Sequence, residues 1–347
     1  MENGVSNGMP GRYSRQVLFG GIGEAGQARI MRSRVAVVGC GALGAMQASL
    51  LARAGVGTLR VIDRDFVEES NLQRQVLFDE ADVRDALPKA AAAERKLRAV
   101  NSLIAVEGVV DDVNATSIGR LLDGFDLILD AADNFNVRFL VNEYAVKNKV
   151  PWIYGACVGA YGLTFPVLPG EGACLRCVFE SAPPPGASPS CDTAGVIGPV
   201  VGAVASFQVA EALKLLAGAR DRLRRKITTF DLWENRYDSI NLPEPFADCA
   251  CCGRHEYPFL EGEAGEEVAS LCGRNSVQIR PKNPGMLDLE GLAARLGRLG
   301  RVERNKFLLR ASIDGHSLTV FSDGRAIVQG TYDESVAKSI YARYVGG

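Results

Sequence analysis

The chain of 347 residues is 47% hydrophobic with a formal net charge of −2, enough length and apolar content for two domains or one large α/β domain with an appendage. The near-neutral balance, with no long basic run and no interleaving of basic and aromatic residues, argues against nucleic acid or a membrane surface as a partner. The N-terminus MENGVSNGMPGRYSRQ lacks the apolar core of a signal peptide, and the longest apolar stretch, Val196 to Ala205, contains glycine and proline and is too short to span a bilayer.

Residues 1–10 read as a disordered N-terminus. The first strand, Arg34 to Val38, runs into GCGALG. There Gly39 permits a tight turn, Gly41 lets backbone approach a phosphate, and Gly44 allows close packing of the helix that follows. A second strand, Thr58 to Ile62, ends at Asp63, at about the twenty-residue spacing of an acid that bonds a ribose hydroxyl. NAD, FAD, S-adenosylmethionine and ATP all satisfy this pattern. The segment DRDFVEESNLQRQ then puts Asp63, Asp65, Asn71, Arg74 and Gln75 at the C-terminal edge of the sheet, where open α/β sheets bind ligands.

Helix Pro88 to Val100, strand Ala105 to Val109, strand Leu127 to Leu129, helix Asn136 to Lys149 and strand Trp152 to Tyr154 continue the alternation. The expected fold is a Rossmann-like, doubly wound and mostly parallel sheet. Lys89 heads the first of those helices, and Asp133 and Asn134 follow strand Leu127 to Leu129, so all three are expected at the same crevice. An Arg, a Lys and an Asp converging on a nucleotide suit phosphate chemistry better than hydride transfer, because cations stabilise developing phosphate charge and a carboxylate holds magnesium.

Further along, Cys174 and Cys177 form one C-x2-C pair, and Cys249 and Cys252 another. Two such knuckles match a tetrahedral structural zinc site; Cys251 suits the spacing less well than Cys252. The nine cysteines, without a secretion signal, point to a reducing compartment and a cytoplasmic protein. The proline-rich stretch Ser181 to Ser190 is composed like a mobile crossover loop. Cys191 follows it directly, where exposure and a nearby helix start would favour thiolate. Pro199 to Leu216, apolar on most faces, reads as a buried helix. After Pro258 the composition turns acidic and glycine-containing, so 259–271 is expected to be a linker and 272–347 a small α+β module. In that module SVQIRP, FLLRASI, SLTVF and RAIVQG are strand-like, the SDG turn predicts a hairpin, and helices are expected from about Asp288 to Leu299 and through SVAKSIYARYV.

GCGALG, then D-x-D, SNLQRQ (Ser70 to Gln75), the lysine of PKA, AADN (Ala131 to Asn134), the two C-x2-C pairs and CDTAGVIGPVVG (Cys191 to Gly202) together resemble the ThiF/MoeB/HesA family, the bacterial relatives of ubiquitin-activating enzymes. The resemblance runs over residues 11–255 and implies an ATP-binding adenylyltransferase domain, with its zinc site, over 11–258. It also implies adenylation of the C-terminal glycine of a ubiquitin-like sulfur carrier ending in Gly-Gly, with sulfur then delivered by a donor such as a cysteine desulfurase. Carried onto this chain, Gly39, Gly41 and Gly44 with Asp63, Asp65, Ser70 and Asn134 would line the ATP site. Asp63 would take the ribose hydroxyls, Asn71 and Arg74 the phosphates, Lys89 would neutralise them and Asp133 would hold magnesium. Arg15, in RYSRQ, resembles the arginine that reaches into a neighbouring subunit, which implies a homodimer; Cys191 resembles a cysteine that can attack the acyl-adenylate or form an acyl-persulfide linkage with the carrier.

Two features depart from the family pattern. Leu163 stands where many members carry glutamine, on the strand expected to line the carrier's tail channel, and the C-terminal module does not resemble an appended rhodanese domain. Within it Cys272 is a lone thiol. The rival readings are a family member that adenylates a different peptide or a ubiquitin-like modifier, and, from another class, a NAD-linked oxidoreductase. The latter needs an acid-base pair near the nicotinamide, and the chain offers only His255 and His316, both beyond the expected sheet.

Overall fold

The computed structural model describes residues 10–181, 191–262, 268–271, 275–279, 286–305 and 307–346. The chain divides into two compact units, Met1–Pro183 with Val196–Ala264 and Pro184–Gly195 with Gly265–Gly347. Strands of the first unit are β1 (Arg34–Val38), β2 (Thr58–Ile62), β3 (Ala105–Val109), β4 (Leu127–Asp130), β5 (Trp152–Val158), β6 (Tyr161–Val167), β7 (Lys226–Asp231) and β8 (Arg236–Asn241). They form one sheet in the order β3-β2-β1-β4-β5-β6-β7-β8.

From β3 to β5 neighbours are parallel, and from β5 to β8 they are antiparallel. The five strands expected from the sequence are thus parallel neighbours, as predicted, and an antiparallel half, β6 to β8, extends the sheet beyond them. The extension begins at β5: it continues past Tyr154 through Gly155-Ala-Cys-Val, which lacks β-branched periodicity, and turns at Gly159 (φ 60°) into β6. Leu163 lies on β6, opposite Ala156 of β5 and Thr229 of β7.

Alternation along β1 explains the two-sided core. Val35 and Val37 pack into one cluster with Leu59, Val61, Leu51 and Leu97, while Ala36 and Val38 pack on the other face with Ile62, Ile128, Phe139 and Leu140. Buried on both faces, such a strand reads as a continuous apolar run. The helices that cover it are α1 (Ala42–Ala54), α2 (Lys89–Val100), α3 (Phe135–Asn148) and α4 (Gly198–Ala217), close to the expected spans.

Helix α4 corrects one expectation. Its 20 residues are long and apolar enough to cross a bilayer by length and composition, although the sequence suggested no run of that length. It packs on α1, β5 and β6 instead, and it carries buried Gln208 and Glu211 into that packing. The Gln208 amide donates to the carbonyls of Asp130 (2.9 Å) and Ile153 (3.0 Å) and accepts from Gln47 at 2.6 Å. A Cβ at Gly155 would lie 2.3 Å from the Gln208 amide carbon, so only glycine fits there. Gly155→Ala is expected to destabilise the first unit by about 1 to 3 kcal/mol through overpacking, read as a lowered denaturation midpoint; an unchanged midpoint would show that Gln208 gives way freely.

The second unit holds β9 (Val268–Leu271), β10 (Ser276–Ile279), β11 (Arg301–Arg304), β12 (Leu308–Ile313), β13 (His316–Phe321) and β14 (Ala326–Gln329). They form an antiparallel sheet in the order β11-β12-β13-β14-β10-β9. Strand β9 occupies the end of the segment expected to be a linker, and β11 was not foreseen. The SDG hairpin joins β13 to β14 as expected, and Asp314 and Gly315, both at positive φ (52° and 77°), make the preceding turn. Helices α5 (Leu289–Leu296) and α6 (Glu334–Tyr344) are N-capped by the carboxylates of Asp288 and Asp333 and pack on Val277, Leu309, Leu318, Val320 and Val328. Cys272 lies outside the described residues.

Candidate functional site

The crevice lies at the C-terminal ends of β1 and β4, adjacent strands whose onward connections leave in opposite directions. Gly39 turns the chain out of β1 at φ 98°, and a Cβ there would lie 2.4 Å from the Ala131 carbonyl oxygen. At Gly44 a Cβ would lie 2.0 Å from the Gly39 carbonyl oxygen, so helix α1 starts directly on the turn. Gly41 differs: its missing Cβ would point into space, with the nearest atom, Gln75 Nε2, 4.0 Å away. Two glycines thus build the loop, and the third leaves room over a helix N-terminus that favours an anion.

Asp63, past the end of β2, is tied to this loop. Its Oδ2 accepts from the Cys40 backbone N–H at 2.5 Å and its Oδ1 from the Asp65 N–H at 2.7 Å. Burial raises the Asp63 carboxyl above its ordinary value, while the Lys89 ammonium pulls it down. Lys89 is buried at the start of α2; its Nζ lies 3.2 Å from Asp65 Oδ2, and its N–H donates to the Asp65 carbonyl at 2.9 Å. A buried lysine between two carboxylates is costly unless paired, so its ammonium is held at this edge by charge.

A short helical turn, Glu69–Asn71, carries the polar run. Asn71 is buried, accepts from the Glu68 N–H at 3.2 Å and donates to Ser70 Oγ at 3.4 Å. Half-buried Arg74 donates to the Ser70 carbonyl at 2.8 Å. Gln75 is buried beside Gly41 and its Oε1 has no hydrogen-bond partner among the described residues.

Beyond β4, Asp133 is exposed and accepts from Asn134 Nδ2 at 3.0 Å, while Asn134 caps α3 by accepting from the Val137 N–H at 2.9 Å. Sequence reasoning missed the buried pair beneath them, Asp130 and Arg138, whose Oδ2 and Nε are 3.1 Å apart. Arg15 is exposed on the short helix Ser14–Val17 and takes part in none of these bonds. Cys191 begins the short helix Cys191–Ala194; its side chain lies outside the described residues, as does the loop 182–190.

A second centre is made of sulfur. Cys174, Cys177, Cys249 and Cys252 place their Sγ atoms within 4.8 Å of one another, with Cys174 and Cys249 3.7 Å and Cys177 and Cys252 3.4 Å apart. Four thiolates around one tetrahedral ion at a bond length of about 2.3 Å sit about 3.8 Å apart, so this donor set fits a metal. Cys252, not Cys251, completes it. Cys251 stands behind, accepting from Asn142 Nδ2 at 3.2 Å, while Asn142 Oδ1 accepts from the Leu175 N–H at 2.8 Å. The hydrogen bond from Cys251 holds Cys174 well below the usual thiol range, toward the thiolate form that binds metal.

The ThiF family profile matches residues 13–251. The chain is 48% identical to the sulfur carrier protein ThiS adenylyltransferase of Bacillus subtilis over 340 residues, covering 97% of this chain and 100% of that protein. It is 38% identical over 250 residues to the SAMP-activating enzyme E1 of Haloferax volcanii, covering 72% and 91% of the two chains. Among solved structures, E. coli MccB with ATP superposes with a TM-score of 0.61 at 26% identity, over 70% of this chain and 74% of that one.

Proposed function

The chain belongs to the ThiF family, and from that membership we propose that it uses ATP to adenylate the C-terminal glycine of a ubiquitin-like sulfur carrier, activating it for sulfur transfer in thiamine or molybdopterin-type biosynthesis. The observation that carries this reading is the full-length likeness to a ThiS adenylyltransferase, combined with a crevice whose glycine loop, Asp63 and buried Lys89 suit a nucleoside triphosphate. In the reaction a carboxylate oxygen of the carrier's terminal glycine bonds to the α-phosphorus, the bond from that phosphorus to the bridging oxygen breaks, and pyrophosphate leaves with the electron pair.

The residue roles in this reading are those the family resemblance implies. Asp63, pinned by two backbone N–H groups, accepts from the ribose hydroxyls. Gly41 opens the loop to the phosphates, Asn71 and Arg74 face them from the turn after β2, and Lys89 offsets their charge. Asp133 is the exposed carboxylate available to magnesium, which would neutralise the phosphates and the departing pyrophosphate. Zinc on the four cysteines, with no open ligand position, would hold the fold and take no part in the chemistry. Arg15, exposed on the short helix Ser14–Val17, is assigned to a partner's site in a homodimer on the resemblance of its RYSRQ motif to the family's, and Cys191 to attack on the acyl-adenylate. We assign the protein to the cytoplasm and its sulfur to a donor of the cysteine desulfurase type. The domain runs over 11–258 in this reading, and the module over 272–347 would recruit a sulfur donor, recognise the carrier or extend the dimer interface.

Adenylation of another peptide or of a ubiquitin-like modifier is the nearer rival, and the 48% identity to a ThiS adenylyltransferase favours the sulfur carrier over it. A NAD-linked reaction is disfavoured by the charge at the crevice, where Lys89 and Asp65 pair beside the glycine loop and suit phosphate chemistry better than hydride transfer. The test is ATP–pyrophosphate exchange with purified protein, magnesium and a carrier ending in Gly-Gly. Carrier-dependent exchange is expected; exchange with a carrier lacking that terminus, or none with any carrier, would overturn the reading.

A further inference from the structure

We propose that Arg138 is a positioning residue for Asp133, the carboxylate assigned to magnesium; the inference rests on the adenylation reading above. The residue before Asp133 is gripped on both sides by one buried ion pair. Asp130 Oδ1 accepts from the Ala132 N–H at 2.9 Å, and Arg138 donates to the Ala132 carbonyl at 2.9 Å. The same pair reaches across to β5, where Gly155 N–H donates to Asp130 Oδ2 at 3.4 Å and the Gly155 carbonyl accepts from Arg138 at 3.2 Å. Arg138 itself is fixed by Asp130 at 3.1 Å and lies over the rings of Phe135 (5.4 Å) and Tyr154 (5.0 Å).

Asp133, by contrast, is exposed, and the bond it accepts from neighbouring Asn134 restrains it weakly. Its carboxylate is therefore placed by its backbone, and that backbone is placed by the guanidinium. A buried ion pair adds little net stability over apolar packing, because desolvation offsets attraction. What a planar fork with donors in fixed directions supplies is geometry, joining the β4 loop, β5 and the first turns of α3 at one point. Lysine, a point charge on a flexible stem, lacks the fixed fork that reaches Asp130 through Nε and Ala132 and Gly155 through a terminal nitrogen.

The test compares Arg138→Lys with wild type in the full chain. Exchange turnover is expected to fall about 10- to 100-fold, with a raised magnesium requirement and a nearly unchanged KM for ATP. Manganese binding in the presence of ATP, read by electron paramagnetic resonance, should weaken by a similar factor. In an Asp133→Asn background the same substitution should add little, since both changes act through one carboxylate. Fully additive losses, or a lowered melting point with wild-type manganese binding and magnesium dependence, would reduce Arg138 to a structural role and overturn the proposal. Should Arg138→Lys fail to fold, Asp130→Asn, of equal shape, is read in the same assays. A wild type that exchanges nothing with any carrier would overturn the adenylation reading itself, an outcome distinct from an active wild type matched by its variant.

Discussion

Lys89→Ala is expected to lower carrier-dependent exchange by about 100- to 1000-fold, the scale of losing one preorganised charge from a site where phosphate charge develops. The ammonium is buried and sits 3.2 Å from Asp65 Oδ2, so it is in place before any nucleotide binds and no reorganisation is needed as the reaction proceeds. Its removal acts twice. The phosphates lose a cation, and Asp63, raised by burial, loses the charge that pulls it toward the anion. Asp63 and Asp65 are then left as two carboxylates without the cation beside them, which disfavours an anionic ligand next to them, so affinity for ATP should fall along with turnover. This separates Lys89 from a residue that acts on the transition state alone, for which KM would stay constant. Exchange and ATP titration of the same variant check both parts; a folded Lys89→Ala protein that exchanges at the wild-type rate would remove Lys89 from the site.

The parts of this site that could be read from sequence are those fixed by local geometry. Gly39 and Gly44 are dictated by contacts within a few residues of themselves or across one adjacent strand, so a strand followed by spaced glycines announces them. The C-x2-C pairs are legible for the same reason: each knuckle is a single turn, as the bond from the Cys177 N–H to the Cys174 carbonyl at 3.1 Å shows. Long-range contacts left no such mark. Asp130, just past the strand expected over Leu127 to Leu129, and Arg138, inside the helix expected over Asn136 to Lys149, carry no local sign of the tertiary packing that joins them. Gln208 was hidden in an apolar helix, and the need for glycine at 155 arises only once α4 lies on β5. The antiparallel half of the sheet was obscured in the same way, because β5 ends in small residues chosen by that packing and not by strand propensity.

Cys252→Ser and Cys251→Ser are adjacent substitutions with opposite expected outcomes. Sγ of Cys252 lies 3.4 Å from Cys177 inside the four-sulfur cluster, whereas Cys251 stands outside it and accepts a bond from Asn142. A hydroxyl can accept that bond, but serine is a poor ligand for zinc beside three thiolates. Zinc bound a thousandfold above its dissociation constant stabilises a folded chain by about 4 kcal/mol. Losing it should therefore lower the melting point by about 8 to 16 °C, whether by Cys252→Ser or by chelation of the wild type. A bound ion would join the knuckle that follows β6 to the one that follows β8, with α4, β7 and β8 between them in sequence, so the loss should reach the strands that flank the crevice. Cys251→Ser should keep one zinc per chain and most of the melting point. Metal content by mass spectrometry and thermal unfolding with and without chelator decide it: a Cys252→Ser protein that retains its zinc would move the fourth ligand to Cys251.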